Sequence, residues 1–173
     1  MTEARIVKRL YLRLRSGLLA AAPRFTLPGW PWEADLLAVT RAGYAAEYEV
    51  KLTRADYLRD IEKKAWSRYG GYYSRPGPTG VCLRKHELLG EGDARGPNRF
   101  SFVAPAGLLT IGDIPPWAGF IEVETHGRWL VPRFVRGAPL LHGHKSETLV
   151  ALIHRALAFR FWWLKGALGK EDR

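Results

Sequence analysis

Asp35-Leu-Leu-Ala-Val-Thr40, a short turn through Arg41-Ala42-Gly43, and then Ala45-Ala-Glu-Tyr-Glu-Val-Lys51 form the stretch on which the reading of this chain turns. The first run is mostly Leu, Ala and Val, and the second alternates small or apolar residues with charged ones. Two such extended runs joined by a turn containing glycine predict a β-hairpin. Glu49 and Lys51 lie two apart on the second strand, so their side chains leave the same face. Asp35 opens the first strand, and a tight hairpin folds it back beside that pair across 14 positions.

Between Glu33 and Glu49 there are four carboxylates (Glu33, Asp35, Glu47, Glu49) and a single base, Arg41, in a chain that is otherwise basic. Two carboxylates and a backbone carbonyl offer the hard oxygens that Mg²⁺ or Mn²⁺ prefers, with positions left for water and phosphate. An ammonium two residues further on can orient a water and offset developing negative charge. Asp…Glu-x-Lys is thus the minimum set for phosphodiester hydrolysis. The same alternation also describes ordinary solvated residues on an edge strand, so spacing alone leaves both readings open.

Outward from the hairpin, Glu3 to Arg15 places Ile6, Val7, Leu10, Tyr11 and Leu14 on one helical face and its bases on the other. Pro23 to Trp32 reads as a loop holding one short strand. Thr53-Arg-Ala-Asp56 has capping-box spacing, and the helix it opens is expected to carry Leu58, Ile61, Ala65 and Tyr69 inward before Gly70-Gly71 ends it. A shorter helix over Val81 to Leu89, a strand over Arg99 to Ala104, and a second hairpin from Gly119–Glu124 and Arg128–Phe134 follow. Ser146 is expected to cap a long final helix reaching about residue 165. This order predicts one α/β domain over residues 1–173, with a central mixed β-sheet flanked by helices.

Among the 173 residues, 27 are basic and 17 acidic, a formal charge of +10 that favours polyanionic partners and makes nucleic acid the first candidate. A single cysteine, Cys82, leaves no internal disulfide. The start of the chain has no signal-peptide pattern, and His154, Arg155 and Arg160 interrupt the apolar run from Leu149 to Leu164. These features predict a cytoplasmic protein without a membrane span.

Glu33-Ala-Asp35-Leu-Leu-Ala-Val, Glu49-Val-Lys51-Leu-Thr53-Arg-Ala-Asp56-Tyr57-Leu-Arg-Asp60, Asn98-Arg-Phe-Ser-Phe-Val-Ala-Pro105 and Ala118-Gly-Phe-Ile-Glu122-Val together resemble the PD-(D/E)XK nuclease superfamily. They are most similar to the MmcB-like DNA-repair proteins and related phage nuclease-like proteins. The resemblance covers most of residues 33–125 and implies a restriction-endonuclease-like core, bacterial or phage origin, and hydrolysis of DNA rather than RNA. It further implies Asp35, Glu49 and the Val50 carbonyl as ligands of Mg²⁺ or Mn²⁺, and Lys51 as the catalytic lysine. Glu3 matches a carboxylate that some members place near the metal. Ala34 replaces the usual proline, and residues 72–97 look like an insertion, which leaves substrate choice open.

Arg54, Lys63, Lys64 and Arg68 on the helix after the site, with Lys85 and His86 beyond the insertion, are candidate phosphate contacts; a solvated helix face accounts for them as well. His142 and His144 have no ligand partners at a convincing spacing and read as loop residues. Trp66 and Tyr69 could stack on bases, although packing explains them as readily. Trp162 and Trp163 end an apolar helix that would suit a core or a homodimer contact. Two other classes stay open: a nuclease-fold module that holds DNA without cutting it, and a basic scaffold or membrane-surface protein.

Overall fold

The period of two in the hairpin sorts its side chains onto two faces, and each face finds its own cover. The computed structural model of the chain describes residues 1–26, 32–62, 64–67, 82–94 and 96–168. Strands β2 (Ala34–Thr40) and β3 (Ala45–Val50) are antiparallel, with Leu36 opposite Tyr48 and Val39 opposite Ala45. Gly43 supplies the turn with φ +82°, a left-handed conformation that costs glycine least, and the Thr40 amide donates to the Tyr44 carbonyl at 2.9 Å.

The hairpin supplies the second and third strands of a six-stranded mixed sheet ordered β1-β2-β3-β6-β7-β8. Here β1 is Leu18–Phe25, β6 Arg99–Pro105, β7 Gly119–His126 and β8 Trp129–Arg136. The pairs β3–β6 and β6–β7 are parallel and the remaining pairs antiparallel. Sequence expectations hold for β2, β3, β6 and the β7–β8 hairpin. The loop with one short strand expected over Pro23 to Trp32 departs in extent: the strand starts earlier and runs Leu18–Phe25, eight residues along the sheet edge. Its Pro23 is tolerated because it stands at the sheet edge, where a missing amide costs least.

One sheet face is closed by α1 (Glu3–Leu14), whose Ile6, Val7 and Leu10 pack with Leu36, Val50, Val103, Ile121 and Leu130. Ile6 and Leu10 are completely buried, each contributing about 1.5–3 kcal/mol of transfer free energy. Tyr11, expected on that inner face, is 43% exposed instead. On the opposite face Leu37, Val39, Phe100, Phe102 and Phe120 meet Tyr57, Leu88, Leu89, Leu149 and Ile153. These last five come from α2 (Arg54–Ile61), α3 (Lys85–Gly90) and α4 (Leu149–Leu168). Central β6 is buried on both faces, as a strand with parallel neighbours must be.

Three helix boundaries move. The helix after Thr53 ends at Ile61, and Lys64–Ser67 is a strand, β4, paired with β5 (Cys82–Arg84). The helix expected from Val81 therefore starts only at Lys85. Leu58, expected inward, is 51% exposed, while Tyr57 and Asp60 are the buried residues of α2. The last helix begins at Leu149, three residues after Ser146. Tyr69, Gly70-Gly71 and residues 72–81 of the expected insertion lie outside the described residues. Among the described residues no helix is long and apolar enough to cross a membrane.

Candidate active site

The hairpin register continued one step past Leu36 and Tyr48 puts Asp35 opposite Glu49, so both carboxylates leave one face at one end of the sheet. The Val50 amide donates to Asp35 Oδ2 at 2.7 Å and fixes the carboxylate there. Two residues on, Lys51 returns to the same face as Glu49 and donates from Nζ to Glu49 Oε1 at 2.8 Å. A polar pocket of about 280 Å³ is lined by Asp35, Glu49, Val50 and Lys51, with Glu3 and Asp60 beside them. The three residues singled out from Asp…Glu-x-Lys thus meet in space, and Glu3 of α1 stands with them.

Behind this pocket runs a chain of buried ion pairs. Lys51 Nζ also reaches Asp60 Oδ1 at 3.0 Å, and Asp60 Oδ2 lies 2.9 Å from His86 Nε2. On the other side Lys85 Nζ sits 2.9 Å from Glu49 Oε2 and 2.9 Å from Glu47 Oε1. The Trp32 ring N–H donates to both Glu47 oxygens, at 3.1 and 3.0 Å. Lys85 is completely buried, its ammonium 4.9 Å from the Phe100 ring centre and 5.3 Å from that of Trp32. Carboxylates and ammonium groups with so little access to water persist only when each meets opposite charge and hydrogen bonds.

The electrostatics divide the network into two parts. Burial, then the facing Glu49, then Glu3 push the Asp35 carboxyl up to about 7, against the lowering effect of the Val50 amide and Lys51. Burial is the main cause, and the two neighbouring carboxylates add to it. Lys51 is opposed by its burial, but Glu49 and Asp60 outweigh that cost and hold its ammonium above the ordinary lysine value. Burial opposes Lys85 as well, and Glu47, Glu49 and Asp60 overcome it. Burial likewise works against ionised Asp60, yet His86, Lys85 and Lys51 hold its carboxyl well below the usual range.

Local structure explains these placements. Thr53 accepts the Asp56 amide at 3.1 Å, which starts α2 directly after Lys51 and brings Asp60 back over it. Tyr57 holds α2 down through its hydroxyl, which donates to the Asp113 carbonyl, and by an edge-on contact with Phe102 at 5.1 Å. Lys85 and His86 enter from the start of α3.

Of the candidates for phosphate contact, Lys85 and His86 are corrected. Lys85 cannot meet solvent or DNA, because it is sealed between Glu47 and Glu49. His86 is nearly covered and turned to Asp60. Arg54 is exposed but bound to Asp113 at 2.6 Å. Lys63 and Arg68 lie outside the described residues, and Lys64 is described only as a backbone position in β4. His142 does have a loop role: its Nε2 lies 3.0 Å from the Gly96 carbonyl, and the Asn98 amide group donates to the His142 and His144 carbonyls. Glu47 and Asp60 are the site members to which sequence reasoning gave no role, and Lys85 is one it assigned to phosphate instead of to Glu47 and Glu49. Glu47 was within reach, since it shares the face of Glu49 by the period of two.

No model of a known protein family matches the chain, and no curated protein does. Among solved structures it is similar to a protein of unknown function from Silicibacter pomeroyi, with a TM-score of 0.61 at 14% identity. That likeness covers 99% of this chain and 94% of the other, and it extends to the fold alone.

Proposed function

We propose that this chain is a divalent-metal-dependent nuclease that hydrolyses DNA phosphodiester bonds on a restriction-endonuclease-like core. One observation carries the reading: Asp35, Glu49, Val50 and Lys51 line a single polar pocket, fed by one hairpin. The donor set suits Mg²⁺ or Mn²⁺, being two carboxylates and a carbonyl. Glu49 and Glu3 stand near Asp35, and their negative charge adds to the larger effect of burial in pushing its carboxyl up, a repulsion that a bound cation would offset. Among the described residues no group of three or more His, Cys, Asp or Glu side chains is disposed to hold a metal; the proposed set uses two side chains and the Val50 backbone.

Asp35, Glu49 and the Val50 carbonyl would hold the ion, which when bound polarises phosphate and lowers the pKa of a bound water. Lys51, kept protonated by Glu49 and Asp60, serves as a hydrogen-bond donor and fixed positive charge rather than as a general base. Asp60 orients that ammonium and His86 orients Asp60. Lys85 neutralises Glu47 and ties down the second Glu49 oxygen, which fixes the carboxylate plane.

A second reading, a nuclease-fold module that binds nucleic acid without cutting it, draws support from the same ion pairs. Both Glu49 oxygens already face lysines, which compete with a cation. Cleavage of labelled single-stranded, duplex, flapped and four-way DNA with Mg²⁺, Mn²⁺ or EDTA separates the two. Metal-dependent cutting that disappears in Asp35→Ala and Lys51→Ala supports the nuclease. Salt-sensitive binding with no cutting under any metal favours the silent module.

A further inference from the structure

A second cavity, of about 380 Å³, opens beside the first between α1 and β1. The two share Glu3 and Asp35, so they meet at the candidate catalytic carboxylates. Their chemistry differs. The inner walls of this one are Val7, Ala21 and Leu36, with the half-exposed ring of Tyr11 at its side. Cations stand at its rim: Lys8 from α1, Arg24 from β1 and Arg160 from α4.

The rim is built with some strain. Arg24 has φ +48°, the left-handed region, and among the described residues it is the one non-glycine position there. Such a conformation costs on the order of 1–3 kcal/mol and persists where surroundings over-determine it. Arg160 supplies that constraint, donating to the Pro23 carbonyl at 2.7 Å and to the Arg24 carbonyl. The mostly exposed Arg24 guanidinium lies 3.5 Å from Glu3, at the junction of the two cavities.

We propose that this cavity takes an unpaired nucleobase of the strand being cut, with its flanking phosphates on Lys8, Arg24 and Arg160. This rests on the nuclease reading of the Asp35 pocket. Apolar walls and an aromatic side answer the face of a base, which has a π-surface whatever its sequence. Cations at the mouth answer the phosphates on either side of it. Adjacency to Asp35 places the base one step from the scissile bond, and a base can enter only if it is out of a duplex stack. The substrate is therefore single-stranded, flapped or frayed DNA in preference to intact duplex.

The test is binding in EDTA, where no cutting interferes, of a fluorescent single-stranded oligonucleotide and of its counterpart with abasic residues throughout. Both carry the same phosphates, so they differ only in bases. Wild-type protein is expected to prefer the base-bearing strand by about tenfold or more. Tyr11→Ala, which removes the ring, and Ala4→Trp, which fills the mouth from an exposed position of α1, are expected to abolish that preference. Melting curves confirm that both variants fold. Equal affinity for the two strands in wild type, or a preference that survives both variants, overturns the proposal. Metal-dependent cleavage with no base preference leaves the nuclease standing and removes the base site. Base preference without cleavage does the reverse.

Discussion

Lys85 is the residue whose loss tests the electrostatic core of this site most directly. Its ammonium is buried at zero exposure, 2.9 Å from Glu47 and 2.9 Å from Glu49. Lys85→Met keeps the length and apolar stem but removes the charge, leaving Glu47 with the Trp32 N–H and without the cation that holds it. Breaking a buried pair from one side costs about 3–5 kcal/mol, against a total stability of roughly 5–15 for a domain. In a chain of this size that lowers Tm by roughly 6–20 °C. Lys85→Met/Glu47→Gln removes one charge of each sign, and is expected to lie within about 2 kcal/mol of wild type. Urea unfolding at pH 7.5, followed by tryptophan fluorescence and extrapolated linearly, measures all three. The single variant's deficit should also shrink as pH falls, because burial already pushes Glu47 up and its protonation discharges the orphaned carboxylate. A loss below about 1 kcal/mol in Lys85→Met, or a double variant no more stable than the single, would refute the buried-counterion argument.

Three further outcomes are expected. Asp35→Asn in EDTA should be more stable than wild type above pH 7, by a few kcal/mol at most, and equal to it below about pH 4. The sign follows from a folded pKa of about 7, above the unfolded value: the favourable term is full below the unfolded pKa and lost as pH rises through 7. Saturating Mg²⁺ should stabilise wild type and leave the variant unmoved. Asp60→Asn should lower kcat roughly ten- to a hundredfold with KM little changed, since Asp60 positions Lys51 rather than touching substrate. Its depressed pKa makes the wild-type contribution present above about pH 4 and lost on further acidification, so acid unfolding should be shallower in the variant. Thr53→Ala should cost about 1 kcal/mol by removing the α2 cap, read as a Tm lower by roughly 2–4 °C.

The hairpin was legible because both of its signals are local. Alternation in Ala45–Val50 and the glycine turn at Gly43 fix the face and the register, and register brings Asp35 to Glu49 without help from the rest of the fold. Helix α1 was legible for the same reason, its apolar stripe matching the face it buries. Helix α2 was misphased because hydropathy assigns leucine to the interior and aspartate to solvent. Asp60 is inward because two charged partners await it there, and nothing near it in the sequence announces them.

Local chemistry along the chain therefore determined the catalytic candidates, the strand that carries them, the basic balance and the α/β class. Tertiary structure alone decided what those candidates touch. Lys85 is 36 residues from Glu49, and Arg160 is 137 from Pro23, yet each makes a direct contact. A buried charge is tolerable only where distant segments bring it a partner, so burial of a lysine contradicts every local preference until the fold is complete. The apolar cavity beside Asp35 has the same origin: α1, β1 and β2 supply its walls and α4 a cation at its rim, and no one of them encloses it.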